Sequence, residues 1–212
     1  MSVTRAVIFD CDGVLVDTEL ISNTVLAGLL TRAGLPTTLE DCMRDYRGRS
    51  MTSVMELATQ RHGAPMPGDI PERYYAETKL AFTRELRPVA GVIEALDRIA
   101  LPACVASSGP HHKMAVTLRR TGLWERFEGR IFSATEVEHG KPAPDLFLHA
   151  AATMGWEPAD CAVVEDSPAG VEAALRAGMT VFGYAGTTPP TRLDGARVFT
   201  DMAELPGLLQ PS

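Results

Sequence analysis

The stretch VIFDCDGVLVDTE at residues 7–19 joins a short apolar run to two carboxylates, Asp10 and Asp12, that are one residue apart. The run predicts a buried strand with the acids at its carboxyl end. Ligands of open α/β sheets bind outside the carboxyl ends of the strands, so we expect both side chains to face a site. Two like charges so close repel each other, and a hard divalent cation relieves this repulsion. Asp12-Gly13 is also a common turn dipeptide, so the stretch alone leaves a plain turn open.

Length and composition narrow the class of protein. A chain of 212 residues, 45% hydrophobic and 22% charged, is typical of a globular protein and can hold one large domain or a core domain with a smaller one. No stretch approaches the length of a membrane span, and the first residues lead directly into a strand without an export signal, so we expect a cytoplasmic protein with no membrane partner. The net charge of -7 argues against nucleic acid as a partner. Nothing in the sequence requires a second copy, so we expect a monomer.

The four cysteines, Cys11, Cys42, Cys104 and Cys161, are widely scattered. They lack the spacing of a metal site or a disulfide framework. We therefore predict four buried free thiols.

Further apolar runs follow the first one and alternate with helical patterns. Predicted strands lie at residues 103–106, 130–132, 161–164, 179–182 and 197–199, whereas residues 17–87 contain only helical patterns. Alternating strands and helices are typical of a parallel sheet covered on both faces. We predict an α/β protein: a doubly wound, Rossmann-like parallel sheet formed by residues 1–16 and 88–212, interrupted by an all-helical insertion at 17–87.

Polar residues follow the other strong strands as well. Ser107-Ser108-Gly109 offers hydroxyl and backbone N–H groups before a helix, which suits a phosphate group. Glu165-Asp166 supplies two more carboxylates, and Lys141 stands in the proline-rich loop GKPAPD. Helix capping by the serines or by Asp166, and a solvated lysine, are the alternatives. Together these segments suit phosphoryl chemistry, in which the protein positions groups and neutralises spreading negative charge.

The sequence resembles the haloacid dehalogenase superfamily of phosphohydrolases, in particular its β-phosphoglucomutase-like branch. Four motifs carry the resemblance: Asp10-Cys11-Asp12-Gly13, Ser107 in Ala-Ser-Ser-Gly, Lys141 in Gly-Lys-Pro-Ala-Pro-Asp, and Glu165-Asp166-Ser167. The resemblance covers nearly the whole chain and implies that residues 17–87 form a helical cap domain, with hinges at Asp17-Thr18 and near Arg87-Pro88.

The resemblance also implies roles for the first motif. Asp10 would attack the substrate phosphorus and form an aspartyl-phosphate, while Asp12 would protonate the leaving alcohol and later take a proton from water. Asp10, the backbone carbonyl of Asp12, and Asp166 would hold Mg²⁺ with Glu165 nearby, so Asp10, Asp12, Glu165 and Asp166 form the predicted metal set.

Substrate contacts are implied in the same way. Ser107, Ser108 and Lys141 would bind the phosphoryl group. The leaving group would contact Glu19, Arg47, Gly48 and Arg49 of the cap, for which solvated arginines are the alternative, and His111 of the loop. His112 and Lys113 could also reach a polar or acidic substrate, although these three residues could equally begin a surface helix.

The branch contains phosphosugar mutases and phosphatases. Mutases carry a histidine where this chain has Ser22, and an arginine in the cap where it has Met51, with Arg49 close by. We therefore favour a Mg²⁺-dependent phosphatase acting on a small phosphorylated metabolite, a sugar phosphate or sugar acid, over a β-phosphoglucomutase-type mutase. Residues 108–114 resemble the loop of sugar-acid phosphatases such as those acting on 6-phosphogluconate.

Two other classes use an aspartate on a similar sheet. A haloacid dehalogenase needs neither Asp12 nor the metal acids, and a response-regulator-like module needs neither Asp12 nor a large helical insertion. The motifs therefore favour a phosphatase over both.

Overall fold

The computed structural model describes residues 4–46, 49 and 51–210. The chain forms two units, Met1–Asp17 with Arg87–Ser212, and Thr18–Leu86. Each boundary lies one residue from the predicted boundary of the insertion.

The first unit contains a six-stranded sheet in which every neighbouring pair of strands is parallel. The strand order is β3-β2-β1-β4-β5-β6, the order of a doubly wound fold, so the predicted fold class is confirmed. The strands are β1 (Ala6–Phe9), β2 (Ala103–Ser107), β3 (Ile131–Ser133), β4 (Cys161–Glu165), β5 (Thr180–Tyr184) and β6 (Arg197–Phe199).

The register of the central strands brings the predicted polar segments to one edge. Phe9 lies opposite Val105 of β2 and Val164 of β4. The residues that follow, Asp10 after β1 and Glu165 at the end of β4, are therefore level with each other at the carboxyl edge of the sheet.

The second unit is built from four helices and, among its described residues, contains no strand. Apolar residues from all four helices, among them Leu26, Cys42, Ala58 and Ile70, form its buried core. The helices are α1 (Thr18–Arg32), α2 (Leu39–Asp45), α3 (Met51–His62) and α4 (Ile70–Glu85).

Helix α2 was not separately predicted, although a capping box marks its start. The Thr38 hydroxyl accepts a hydrogen bond from the Asp41 N–H at 3.1 Å, and the Asp41 carboxylate accepts one from the Thr38 N–H at 3.0 Å. This reciprocal pair satisfies two backbone donors that the helix leaves unbonded.

Helices of the first unit cover both faces of the sheet. Ile8 of β1 packs on one face in a cluster that includes Phe147 and Val171. The ring of Phe9 turns to the other face, where it meets Phe127 with 6.1 Å between ring centroids. The helices are α5 (Val92–Arg98), α6 (His111–Arg120), α7 (Trp124–Phe127), α8 (Asp145–Met154), α9 (Pro168–Arg176) and α10 (Leu205–Leu208).

The structure also describes the four cysteines and the length of the helices. All four cysteines are buried and free, as predicted. Within the described part of the chain, every helix is too short or too polar to cross a bilayer.

Candidate active site

The candidate site lies where the strand order reverses. The chain runs from β1 to β2 and β3 on one side of the sheet, and β4, β5 and β6 lie on the other side. Ligands of open α/β sheets bind at such a point, outside the carboxyl ends of the strands. Asp10 directly follows β1, and its N–H donates to the carbonyl of Val164 in β4 at 2.9 Å.

A buried lysine joins two acids at this point. The Lys141 Nζ donates to Oδ1 of Asp10 at 2.5 Å, to Oε1 of Glu165 at 2.7 Å and to the carbonyl of Ala106 at 3.2 Å. The side chains of Lys141, Asp10 and Glu165 are only 3%, 9% and 1% exposed. The alternative of a solvated lysine is therefore wrong, and this ion triad ties the loop before α8 to the ends of β1, β2 and β4.

The charges within this triad shift the pKa values of Lys141 and Asp10. Burial by itself lowers the pKa of Lys141, but the charges of Asp10 and Glu165 outweigh it and raise that pKa well above its usual value. Burial raises the pKa of Asp10 to about 7, the charge of Lys141 opposes this, and the carboxylates of Glu165 and Asp12 add to it. Burial and the two neighbouring carboxylates thus outweigh Lys141, so the charged form of Asp10 is disfavoured.

Glu165 was predicted to be a metal ligand, and in the structure its carboxylate contacts Lys141 and Ser167. Its Oε1 accepts from Lys141, and its Oε2 accepts from the N–H of Ser167 at 2.8 Å and from the Ser167 hydroxyl at 2.9 Å. A Cβ on Gly170 would lie 1.7 Å from Oε1, so the first turn of α9 closes over this carboxylate. Through these contacts Glu165 anchors Lys141, and its place in the metal set stays a prediction. Ser167, rather than Asp166, caps α9.

Asp166 instead lies against the loop that follows β1. Gly13 has a φ of +84°, which favours glycine, and a Cβ there would lie 2.3 Å from Oδ2 of Asp166. The missing side chain therefore lets the Asp166 carboxylate approach the backbone that follows Asp12. Asp12-Gly13 does form a turn, which was the alternative interpretation of this stretch, and the Asp166 carboxylate lies against that turn.

The donor set fits a hard cation. Two carboxylates, Asp10 and Asp166, and backbone carbonyl oxygen from the same loop are the oxygen ligands that Mg²⁺ takes in proteins. Among the described residues no three His, Cys, Asp or Glu side chains are grouped to hold a metal ion, so the four predicted carboxylates do not form one cluster. A set of two carboxylates with a carbonyl is compatible with this finding.

The second acid of the motif has its own lysine. The Lys113 Nζ donates to Oδ2 of Asp12 at 2.7 Å, and the two side chains are 34% and 25% exposed. Burial lowers the pKa of Lys113, but the charge of Asp12 and this hydrogen bond raise it above its usual value. The sequence had suggested Lys113 only as a substrate contact or a surface residue, and no pattern in the sequence connects it with Asp12, 101 positions away.

The loop after β2 brings a hydroxyl to the same place. Ser107 is buried, and its Oγ accepts from the Gly109 N–H at 3.1 Å. A Cβ on Gly109 would lie 3.5 Å from this Oγ and 3.7 Å from Oδ2 of Asp12, so Ser107 and Asp12 flank the same glycine. No side chain caps α6, which excludes the capping alternative for Ser107 and Ser108. Ser108 is exposed at the turn.

Three of the predicted substrate residues have partners within their own units. The ring of His111 is directed to Glu136, with Nε2 at 3.3 Å from Oε1. Glu19 and Arg49 belong to the helical unit, where Glu19 accepts from Asn23 at 3.3 Å and Arg49 donates to the carbonyl of Asp45 at 2.8 Å. Arg47 and Gly48 lie outside the described residues. The substrate roles of these residues stay predictions.

Comparison with known proteins gives one family. Residues 4–178 match the model of haloacid dehalogenase-like hydrolases. The chain is 31% identical to 6-phosphogluconate phosphatase of Escherichia coli, over 98% of this chain and 96% of that protein.

Solved structures agree with this result. A haloacid dehalogenase-like protein of unknown function from Agrobacterium tumefaciens is 34% identical with a TM-score of 0.91, covering 97% of each chain. A hydrolase of the same family from Deinococcus radiodurans, solved with bound phosphate and sodium, is 32% identical with a TM-score of 0.86 and covers both chains fully.

Proposed function

The chain belongs to the haloacid dehalogenase-like hydrolase family and is a phosphoric monoester hydrolase, and from this premise we propose that it is a Mg²⁺-dependent phosphatase of a small phosphorylated sugar or sugar acid. The resemblance drawn from the four motifs is thereby confirmed. The Mg²⁺ dependence, the aspartyl-phosphate intermediate and the substrate are our proposals.

One observation carries the mechanism. Lys141 bonds Asp10 in the interior of the protein, and Ser107 and Asp12 meet around Gly109 at the same edge of the sheet. Three segments that are distant in sequence would therefore supply a nucleophile, a proton donor, a hydroxyl and a cation within one site. Transfer of a phosphoryl group needs these parts, because catalysis consists mainly of positioning and charge stabilisation.

We propose two chemical steps. An Asp10 oxygen attacks phosphorus, the bond from phosphorus to the alcohol oxygen breaks, and protonated Asp12 gives its proton to that oxygen. Asp12 then takes a proton from water, which attacks the phosphorus of the aspartyl-phosphate and regenerates Asp10 with release of phosphate. Lys141 keeps the Asp10 carboxylate in place and neutralises phosphoryl oxygens, to which the Ser107 hydroxyl donates.

Asp10, the backbone carbonyl of Asp12, and Asp166 would hold Mg²⁺. When bound, the ion neutralises negative charge on the phosphoryl group and on the carboxylates. The close approach of Asp166 to Gly13 supports this assignment. Glu165 acts through Lys141, whose ammonium it holds by a hydrogen bond.

The substrate class follows from the relatives and from the residues of the helical insertion, which we propose to be a cap over the site. A relative that covers nearly the whole chain is a 6-phosphogluconate phosphatase, and residues 108–114 resemble the loop of that subgroup. Ser22 and Met51 stand where phosphosugar mutases carry a histidine and an arginine. A bisphosphate is therefore harder to retain for a second transfer, which favours hydrolysis over mutase activity.

The test is phosphate release from p-nitrophenyl phosphate with and without Mg²⁺, followed by a panel of phosphorylated sugars and sugar acids ranked by kcat/KM. We expect release that stops with a chelator and returns with added Mg²⁺. Release that is unaffected by the chelator would overturn the metal assignment. Interconversion of β-glucose 1-phosphate and glucose 6-phosphate faster than phosphate release would favour the mutase.

A further inference from the structure

The chain contains only three lysines among its 20 basic Lys and Arg residues, at positions 79, 113 and 141. Two of the three bond the two aspartates of the first motif, Lys141 to Asp10 and Lys113 to Asp12. Resting on the proposed function, we propose that Lys113 is a positioning residue for the general acid, which holds the Asp12 carboxyl group in the direction from which it protonates the leaving group.

The two lysines hold the two acids apart in different surroundings. Lys141 approaches Asp10 from the loop before α8, and both side chains are almost fully buried. Lys113 approaches Asp12 from α6, and both side chains are partly exposed. A substrate phosphoryl group has to meet Asp10, and the leaving alcohol has to depart toward solvent. The exposed side of the site is therefore the side on which an acid can reach the leaving oxygen.

Without Asp12, the positive charge of Lys113 at the start of α6 would be unfavourable. Lys113 lies in the first turn of α6, which contains no acidic residue, and its N–H donates to the carbonyl of Pro110 at 3.0 Å. Cations at a helix N-terminus are disfavoured by the helix dipole. The charge of Asp12 offsets this loss, and residues that break a local rule in this way are expected at functional sites.

The Lys113 side chain runs past the loop that precedes α6. A Cβ on Gly109 would lie 3.5 Å from Cδ of Lys113. The lysine stem thus crosses the loop directly beside Gly109, and its compact ammonium meets a single carboxylate oxygen. The planar fork of an arginine is suited to two parallel hydrogen bonds instead, so the two cations are not equivalent here.

The test compares two substrates of similar shape, p-nitrophenyl phosphate and phenyl phosphate. Phenolate is a poor leaving group that needs a proton, whereas p-nitrophenolate leaves readily without one. In Lys113→Met, kcat/KM for phenyl phosphate should fall by about tenfold or more, because general acid catalysis contributes at least that much, while kcat/KM for p-nitrophenyl phosphate changes little. We use kcat/KM because it reports the first transfer, to Asp10, in which the leaving group departs.

Four further variants separate positioning from a structural role. Asp12→Asn should also lower kcat/KM for phenyl phosphate relative to kcat/KM for p-nitrophenyl phosphate. Adding Lys113→Met to Asp12→Asn should not change this ratio further. Lys113→Arg should restore the ratio in part. Lys79→Met, which removes the exposed third lysine, should leave both substrates unaffected.

An equal loss for both aryl phosphates, or additive losses in the double variant, would overturn the proposal. If Lys113→Met fails to fold, as judged by thermal unfolding, Lys113→Gln takes its place in the same comparison. A wild-type protein without Mg²⁺-dependent phosphatase activity would refute the proposed function itself, whereas an active wild type with an unchanged ratio in the variant refutes only the role of Lys113.

Discussion

The ammonium of Lys141 lies 2.5 Å from Oδ1 of Asp10, although the two residues are 131 positions apart in the chain. A third charge, Glu165, completes this buried group at 2.7 Å from the same ammonium. Two carboxylates share one cation, so each of the three depends on the others for its compensation. The contact therefore matters for the stability of the core as well as for the proposed chemistry.

The buried triad predicts a loss of stability in Lys141→Met. The variant leaves two acids buried without their cation, and removing one partner of a buried ion pair destabilises a protein by roughly 3–5 kcal/mol. Urea unfolding of the substrate-free protein measures the change, with Lys79→Met as the matched control. Equal unfolding midpoints for the two variants would contradict the role given to the triad.

The two aspartates of the first motif predict unequal losses of activity. Asp10→Asn removes the attacking oxygen and should abolish turnover, whereas Asp12→Asn removes a proton donor whose contribution is typically 10²–10⁴-fold. Steady-state phosphate release by the purified variants measures both. Substantial activity in Asp10→Asn would rule out Asp10 as the nucleophile.

Gly13→Ala predicts a weaker response to Mg²⁺. The new Cβ would fall 2.3 Å from Oδ2 of Asp166 and displace that carboxylate, so the Mg²⁺ concentration for half-maximal activity should rise by roughly tenfold or more.

Gly178→Ala is the matched control for this change. Gly178 has a similar φ of +74° with nothing within 4 Å of its Cβ position, so it carries the same backbone strain, about 1–2 kcal/mol, without the collision. If both variants require the same Mg²⁺ concentration as the wild type, Asp166 is not a ligand.

The helical unit predicts a pH-dependent stability. Hydrogen bonds from the Thr38 N–H, the Thr38 hydroxyl and Arg44 hold the pKa of Asp41 well below its usual 3.8. A lowered pKa stabilises the folded state above pH 3.8, and this contribution is lost as the pH falls below that value. Asp41→Asn should therefore lower the melting temperature at pH 7, and its difference from the wild type should shrink at pH 3.

Glu40→Gln provides the comparison, because Glu40 is an exposed acid in the same first turn of α2. Thermal unfolding at the two pH values measures both variants. An Asp41→Asn deficit that persists undiminished at acidic pH would show that the Asp41 charge is not its source.

The strands of the sheet were predictable because parallel strands are buried on both faces. They read as short, nearly continuous apolar runs, and each of the six predicted runs overlaps a strand of the structure. Helix α2 was not predicted as a separate helix. It has only seven residues, and its Thr38–Asp41 capping box does not stand out from the surrounding helical pattern.

The residues of the site that directly follow a strand were predictable. Asp10, Asp12, Ser107 and Asp166 follow apolar runs, so the order of the strands places them at one edge. The partner of each lysine was not predictable, because a contact over 101 or 131 positions leaves no periodic signal in the sequence. The contact of Glu165 with Lys141 was not predictable for the same reason.

The sequence by itself determined the parallel sheet, the interrupting helices and the chemical types of the residues at the strand ends, because buried backbone and apolar periodicity are local properties of a chain. The pairing of each acid with its cation depended on the folded arrangement of distant segments. Glu165 accepts from Lys141 and Ser167, Asp166 approaches Gly13, and Lys113 reaches Asp12, because the direction of a side chain is set by the packing of segments that meet only after folding.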